Sequence, residues 1–576
     1  MLKPWWERFP GRLEYEFEGL REIGVEFQQD EIAFRNGRLE LDLRAVLDEK
    51  EIKLHARFPD LYPYFRFELF APELTLPHHQ NPFLKNLCLI GSATEKWHTG
   101  DTLAAFIRDR LPVVLRTGAA QTSSEVIGLE EVQAEPITAY YRYGADSIIL
   151  VESSWVIDPA VSRGRFLLGI ESHSTPVIRG AIQEILDDRD KSVAQESRPL
   201  SRLYKGSLRG RWVRIAKPVF EEDAARFLEV VSREHPDLRN PRWHWFGDYG
   251  IDVVGVLFPE EAAWRKTGQG WLFVVRVAQN RRGFRPGHFW KAYFARPAPV
   301  GADDMFTRVP ELGPLRGKKI ALVGLGCVGA PSALEFARSG LGRLNIMDGD
   351  IVEPGTTVRW PVGIRAAGRS KAKVLEEVIR SDYPYTDVAS WHHRLGSALG
   401  DQEPDLKVLN DFLTDADLIF DASAELGVTH VLADFAREQA VPFVSISSTP
   451  GGWGGRATRI VPSRTKGCWM CLQHAVLDGR IPAPPFSPVE PVQPTGCTAP
   501  TFTGASFDVQ EISLAGVRLA ISTLCAGDAS AYPDVDWDVA VLTIRDQVGL
   551  KTPSWKTYTL ERHPQCELCR AMASHG

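Results

Sequence analysis

At 576 residues the chain exceeds what one ordinary hydrophobic core supports, so roughly two to four domains are expected. With 44% hydrophobic and 24% charged residues, the composition excludes a disordered or fibrous chain. The net charge of -7 gives no broad attraction to nucleic acid or membrane, and neither is expected as a partner. The opening MLKPWWERFPGRLEYEFEG has no apolar signal core, and no segment reaches the unbroken apolar length of a membrane span. A cytoplasmic location is therefore expected.

Residues 1–115 read as a small α+β domain. Strand-like pieces occur at Arg38–Leu43, Ile52–Phe58 and Tyr64–Phe70. An irregular stretch, LPHHQNPFLKNLCLIG, carries Cys88, and a helical pattern over Thr102–Leu111 stops at Pro112. Residues 116–310 form an intermediate, β-rich region that opens on a polar linker, AAQTSSEV. SIILVESSWVI, GRWVRIAKPV, WHWFGDYGIDVVGVLF and GWLFVVRVA are strand-like, and Glu221–Val231 is helical. The aromatic residues of this region are expected to fill a core, since large rings usually serve burial. It carries no recognisable chemistry.

Residues 311–576 alternate strand and helix in the manner of a doubly wound parallel sheet. Ile320–Val323 is a short apolar strand, followed by Gly324, Gly326 and Gly329 at GxGxxG spacing and a helical pattern over Ala330–Arg338. A second strand, Leu344–Met347, ends at Asp348. Strand, glycine turn, helix, strand and acid make a nucleotide fingerprint, in which the helix N-terminus meets phosphate. Asp348 and Asp350 are placed to hold ribose hydroxyls or Mg2+. Arg359 and Lys371 follow. A dinucleotide oxidoreductase has no need of this cationic pair, whereas a triphosphate such as ATP does.

Of eight cysteines, four form two CxxC pairs, Cys468/Cys471 and Cys566/Cys569. In a reducing compartment these suggest one closed tetrahedral Zn2+ site pinning the tail. Cys327 and Cys525 read as packing residues. Cys497 lies in a proline-rich loop just before a helix, a place that lowers a thiol pKa. Cys88 is the second solitary cysteine in polar, turn-rich surroundings.

VGLGCVG, DGDIVEP, Arg359 and GRSKA together resemble the adenylation domain of ubiquitin-activating-type enzymes, the ThiF/MoeB fold shared with the activators of sulfur-carrier proteins. The resemblance covers residues 311–576. It implies that Asp348 and Asp350 lie near ribose and metal, that Arg359 and Lys371 contact ATP phosphates, and that Cys497 captures the activated acyl group as a thioester. The sequence departs from the family at Thr356, where an asparagine is usual, and at Trp360, where a glutamine is usual. Ala424 stands at the metal-binding aspartate position, so Asp421 or Glu425 is expected to substitute at the cofactor.

The stretch from YPYFRFELF through HHQNPFLKNLCLIG to Trp97 more loosely resembles ubiquitin-conjugating domains. Asn81 then takes the place of the asparagine that stabilises an oxyanion, His79 stands at the histidine position and Gln80 replaces proline. The domain order resembles the bacterial fused activating–conjugating enzymes of antiphage cyclic-oligonucleotide (CBASS) operons. That resemblance implies adenylation of a partner protein's C-terminal tail, expected to be a cyclic-oligonucleotide synthase. Transfer to Cys497 and then Cys88 would follow, ending in conjugation to an amine by a homodimer, with Arg308 a candidate to reach ATP across it. The alternatives are a sulfur-carrier-protein adenylyltransferase, a non-catalytic nucleotide-binding scaffold and, on the glycines alone, a nicotinamide-dependent oxidoreductase.

Overall fold

A computed structural model describes residues 3–573 except 48, 91–95, 121–122, 130–131, 172–176, 197–199, 205, 281–289, 398–402, 463, 490, 494–500 and 502. The chain divides into two compact units, Met1–Val300 and Gly301–Gly576. Among the described residues no helix is long and apolar enough to cross a membrane.

The first unit begins with an antiparallel sheet of β1 (Glu26–Gln29), β2 (Glu40–Leu47), β3 (Lys50–Arg57) and β4 (Glu68–Phe70), in that spatial order. Alternation decides its faces. Leu41, Leu43 and Ala45 are buried against helices Arg12–Glu22, Leu103–Asp109 and Leu111–Ala119, while Asp42 and Arg44 face solvent. The expected helical stop at Pro112 is corrected. The chain kinks at Arg110 and a second helix starts at Leu111, with Pro112 in its first turn. A proline there removes an N–H that has no partner within the helix anyway. Glu16, fully buried, receives the backbone N–H of Leu103 at 2.9 Å and pairs with Arg12 at 2.8 Å.

The rest of this unit is a nine-stranded sheet built from β5 (Tyr143–Glu152), β6 (Arg163–Ile170), β7 (Arg179–Asp187), β8 (Ser192–Gln195), β9 (Gly206–Arg214), β10 (His244–Phe246), β11 (Tyr249–Ala263), β12 (Lys266–Gln279) and β13 (Trp290–Val300). Its order is β10-β11-β12-β13-β5-β7-β6-β9, with β8 off this path against β7, and β9 pairs again with β11, so the ladder closes on itself. Closure satisfies the edge of β9 that an open sheet would leave, while the short strands β10 and β8 each have one strand partner. One face of β11 sends Ile251, Val253 and Leu257 to a cluster with Phe166, Trp212 and Phe273. The other sends Val254, Val256 and Phe258 to helix Ala224–Glu234. The aromatic-rich core expected here is present.

On the helix-covered face of the sheet, beside the turn that follows the helix, sits a buried charge cluster. Asp252, 2% exposed, accepts from Arg211 at 3.1 Å and from Arg276 at 2.5 and 2.8 Å. Both guanidiniums also donate to backbone carbonyls between Asp237 and Asn240, which locks that turn onto the sheet.

The second unit is a single sheet of eight strands: β14 (Lys319–Val323), β15 (Arg343–Met347), β16 (Asp387–Trp391), β17 (Leu418–Asp421), β18 (Phe443–Ser448), β19 (Gly454–Ile460), β20 (Val539–Asp546) and β21 (Gly549–Tyr558). Its order is β16-β15-β14-β17-β18-β19-β20-β21. The first five strands are parallel, as the alternation predicts, and the last three are antiparallel, which it does not. After β16 the chain returns to the far side of β14. The connections therefore diverge beside β14, opening a crevice at the carboxyl ends of the strands. Helix Ser506–Leu524 packs on one face, and Ser513 donates to the Val328 carbonyl at 2.8 Å.

Replacing Asp252 by Ala leaves two buried guanidiniums without a counter-charge. Urea denaturation is expected to show a loss of about 3–5 kcal/mol, whereas Asp42→Ala, on the solvent face of β2, should cost under about 0.5 kcal/mol.

Candidate functional site

The glycine turn between β14 and helix Gly329–Arg338 is the centre of the second unit's site. Gly324 has φ +89°, and a Cβ there would meet backbone atoms of Ser423 at 2.5 Å. A Cβ on Gly329 would meet the Gly324 carbonyl oxygen at 1.9 Å. At Gly326 a Cβ would meet nothing within 4 Å. The outer glycines are thus fixed by close packing within the protein. The middle one faces open space, where a bound group can approach the backbone.

Three groups hold the turn. Asp348 at the end of β15 accepts from the Leu325 N–H at 2.6 Å and from the Asp350 N–H at 2.7 Å. Burial pushes its carboxyl above the ordinary range, with Lys371 and these N–H groups pulling back. Trp360 donates its indole N–H to the Leu325 carbonyl at 2.8 Å. The departure from glutamine at this position therefore gives the turn a buried strut. Ser513 supplies the third, through Val328.

Lys371 begins helix Lys371–Asp382 behind the Ser370 cap, and its Nζ lies 3.0 Å from Asp350. Arg359 donates to the Thr501 hydroxyl at 2.7 Å. The charges of both cations reach Cys327, whose thiol burial pushes up while they pull it down. Lys371 is tied to the glycine turn through Asp350 and Asp348, and Arg359 through its neighbour Trp360, so the two cations and the turn converge. Thr501 also pairs with Val492 through two backbone hydrogen bonds. Cys497 lies outside the described residues. Arg308 is exposed.

Asp421, expected at the cofactor, ends β17 beside the last residue of β14. It is 1% exposed, and its two oxygens accept from Ser423 N–H, Ser423 Oγ, Thr429 Oγ and Ser445 Oγ at 2.7–3.0 Å. Its hydrogen bonds are spent on shaping the turn after β17, in which Ala424 has φ +56°. Asp350 and Glu353, in the loop after β15, and Glu425, after β17, are exposed carboxylates.

The two CxxC pairs meet. Cys468 lies 3.8 Å from Cys471 and 3.6 Å from both Cys566 and Cys569, and Cys471 lies 3.5 Å from Cys569, measured between sulfurs. A tetrahedron with Zn–S of ~2.3 Å sets sulfurs about 3.8 Å apart, so the cluster fits zinc. The His563 N–H donates to Cys471 Sγ at 3.2 Å, which favours the thiolate. Among the described residues this is the only group of three or more acidic, histidine or cysteine side chains suited to a metal.

In the first unit Cys88 sits opposite His79, whose carbonyl accepts the Cys88 N–H at 2.8 Å. Both line a cavity of about 630 Å³. Asn81 does not line it. Its Oδ1 accepts from the N–H groups of Phe83 and Leu84 at 2.9 and 3.0 Å, and so holds the turn that brings Asn86 back to Asn81, Leu87 to Gln80 and Cys88 to His79. Sequence reading missed Glu135 and Tyr140, also at this place. They come from the segment entering the closed sheet, far from Cys88 in the chain and without any motif.

Residues 305–526 match the model described as the ThiF family. Over its full length the chain is 30% identical to the uncharacterized protein y4oA of Sinorhizobium fredii, across 98% of this chain and 97% of that one. It is 25% identical over 183 residues to an ATP-dependent ubiquitin transferase-like protein, Cap2, of Enterobacter hormaechei, covering 30% of this chain and 29% of Cap2. It is 24% identical over 278 residues to the adenylyltransferase and sulfurtransferase uba4 of Aspergillus niger, covering 46% of this chain and 52% of uba4.

Two outcomes test the geometry. Gly326→Val should lower ATP affinity at least about ten-fold with little change in melting temperature, while Gly329→Ala should unfold the unit; equal effects on ATP and melting would overturn the division. Metal analysis should find one zinc per chain, lost in Cys471→Ser.

Proposed function

We propose that this chain, which belongs to one family with y4oA and is an enzyme of the ThiF adenylyltransferase type, joins ATP to the C-terminal carboxylate of a partner protein, forming an acyl adenylate and pyrophosphate. The observation that carries this reading is the convergence of Arg359 and Lys371 on a glycine turn whose middle residue faces open space. Backbone N–H groups at Gly326 and at the start of helix Gly329–Arg338 are placed for phosphate. The two cations offset charge that gathers on the phosphates as the carboxylate attacks the α-phosphorus. Asp350, beside Lys371, and Glu425 are the acids for ATP-bound magnesium, while Asp348 is the candidate for ribose.

For the fate of the adenylate, the adenylyltransferase and sulfurtransferase relatives support activation of a sulfur-carrier protein. In that reading sulfide-level sulfur from a donor attacks the acyl carbon, the bond to AMP breaks, and the carboxylate leaves as a thiocarboxylate. A second reading has one observation in its favour: Cys88 borders a cavity large enough for a peptide end. There the acyl group passes by way of Cys497 to Cys88, and Cap2 is a relative of matching name. A ubiquitin-conjugating-like first domain rests on the resemblance of the stretch from Tyr62 to Trp97, and three further features rest on the resemblance in domain order alone: a homodimer, a cyclic-oligonucleotide synthase as partner, and an antiviral setting.

ATP–pyrophosphate exchange with a candidate partner tests the core of this. Arg359→Ala and Lys371→Ala should each reduce exchange about 10²-fold, and exchange unaffected by both would sink the assignment. Intact mass separates the two fates. Cys88→Ala should still adenylate; under the relay it keeps a thiol-sensitive adduct at Cys497 but loses the one at position 88 and all conjugation, and under the sulfur-carrier reading product forms unimpaired.

A further inference from the structure

The cavity at Cys88 is walled by residues from two parts of the first unit. His79 contributes an imidazole whose Nδ1 lies 2.9 Å from Glu135 Oε1, while the His79 backbone N–H donates to the other carboxylate oxygen at 2.7 Å. Glu135 is anchored in turn. Its N–H donates to Glu261 of β11 at 3.1 Å, and Tyr140 hydrogen-bonds its carboxylate. Glu261 lies 3.3 Å from His78, and Arg265 in the same hairpin donates to the Thr117 and Ala120 carbonyls at 2.8 and 3.2 Å. The closed sheet is thereby tied to the helix beneath the cavity. His79 is itself held at φ +60°, a conformation unusual for histidine.

A carboxylate fixed at Nδ1 selects the imidazole tautomer with its proton there, so Nε2 carries the lone pair. Nucleophile, histidine and orienting carboxylate are the three parts of an activated-thiol arrangement. Here they come from the Cys88 hairpin and from the entry to the closed sheet, and Cys88, His79 and Glu135 line the same cavity. Neither half alone has all three.

We propose that His79, oriented by Glu135, is the base that activates Cys88 for acyl transfer. The step rests on the second reading above, in which an acyl adenylate or acyl thioester reaches this cavity. The Cys88 S–H proton passes to His79 Nε2, and the thiolate attacks the acyl carbon. An S–C bond forms, and the bond to AMP or to the donor sulfur breaks. The imidazolium, stabilised by Glu135, returns its proton to a donor thiolate or loses it to solvent when AMP leaves. The same Nε2 is placed to accept a proton from an incoming amine in the following step.

Other charged groups share the cavity: Lys96, His98, Asp101, Asp109 and Arg110. Burial works to raise Glu135, but the hydrogen bonds and charge of His79 hold it below the usual carboxylate range. It therefore stays ionised through the neutral range, as an orienting group must.

The test needs neither ATP nor a partner. The full chain is treated with iodoacetamide across pH 5–9, and alkylation of the Cys88 peptide is followed by mass spectrometry. The wild type should alkylate with an inflection in the histidine range, below the thiol value of about 8.5. His79→Gln should slow alkylation at pH 7 about ten-fold and move the inflection to the thiol range. Glu135→Gln, nearly isosteric, should shift it the same way by less. A wild-type profile with a single inflection at the thiol value overturns the proposal without any variant, as does a His79→Gln profile that matches wild type. Absence of an acyl adduct at Cys88 with ATP and partner would instead remove the relay, and leaves the thiol profile as a separate result.

Discussion

The second unit depends on how little room the glycine turn leaves. Between Gly324 and Gly329 the backbone folds against itself and against the loop after β17 so closely that neither position admits a methyl group. That contact sets the distance between β14, its helix and β17, and hence the mouth of the crevice. Asp348, Trp360 and Ser513 then reach the turn from three different elements. A ligand meets a backbone already fixed, so little ordering cost remains at binding. The crevice is a product of packing within the chain before it is a binding site.

Much of this was legible because the residues concerned are consecutive. Gly324 to Lys371 is one continuous run in which spacing carries geometry, and the alternation of strand and helix predicts the parallel half of the sheet. The antiparallel half was not legible. β19 is buried or half-buried throughout, β20 nearly so, and β21 is exposed or half-buried throughout, so none alternates regularly, and a long insertion separates β19 from β20. Asp421 shows the limit of reading by position. It stands at an acidic place in the pattern, yet only the fold shows Ser423, Thr429 and Ser445 surrounding it. The two CxxC pairs were readable as one cluster because thiolates at that spacing have few other uses in a reduced protein.

In the first unit the motif around Cys88 was visible and its partners were not. Glu135 and Tyr140 lie in a stretch without periodicity, and Glu261 ends a fifteen-residue strand whose rim position follows only from the register of β11 with β12. The closed sheet, to which sequence assigned no chemistry, reaches the cysteine through these residues. Its stiffness has a use there. A closed ladder with Asp252 and two arginines buried on its flank deforms little, and it holds Glu135 where a loop alone would let it wander.

The cysteine cluster has a topological consequence. Cys468 and Cys566 are 98 residues apart, and between them lie Thr501, the segment that holds Cys497, and helix Ser506–Leu524. Metal bound at the four sulfurs turns this span into a closed circuit. Closing a loop of such length removes about 4–5 kcal/mol of unfolded-state entropy on the cross-link estimate. The circuit also includes the hydroxyl that Arg359 grips. Availability of zinc, or oxidation of a single thiol, would then be transmitted along the chain to the phosphate-binding cation without either group touching the other.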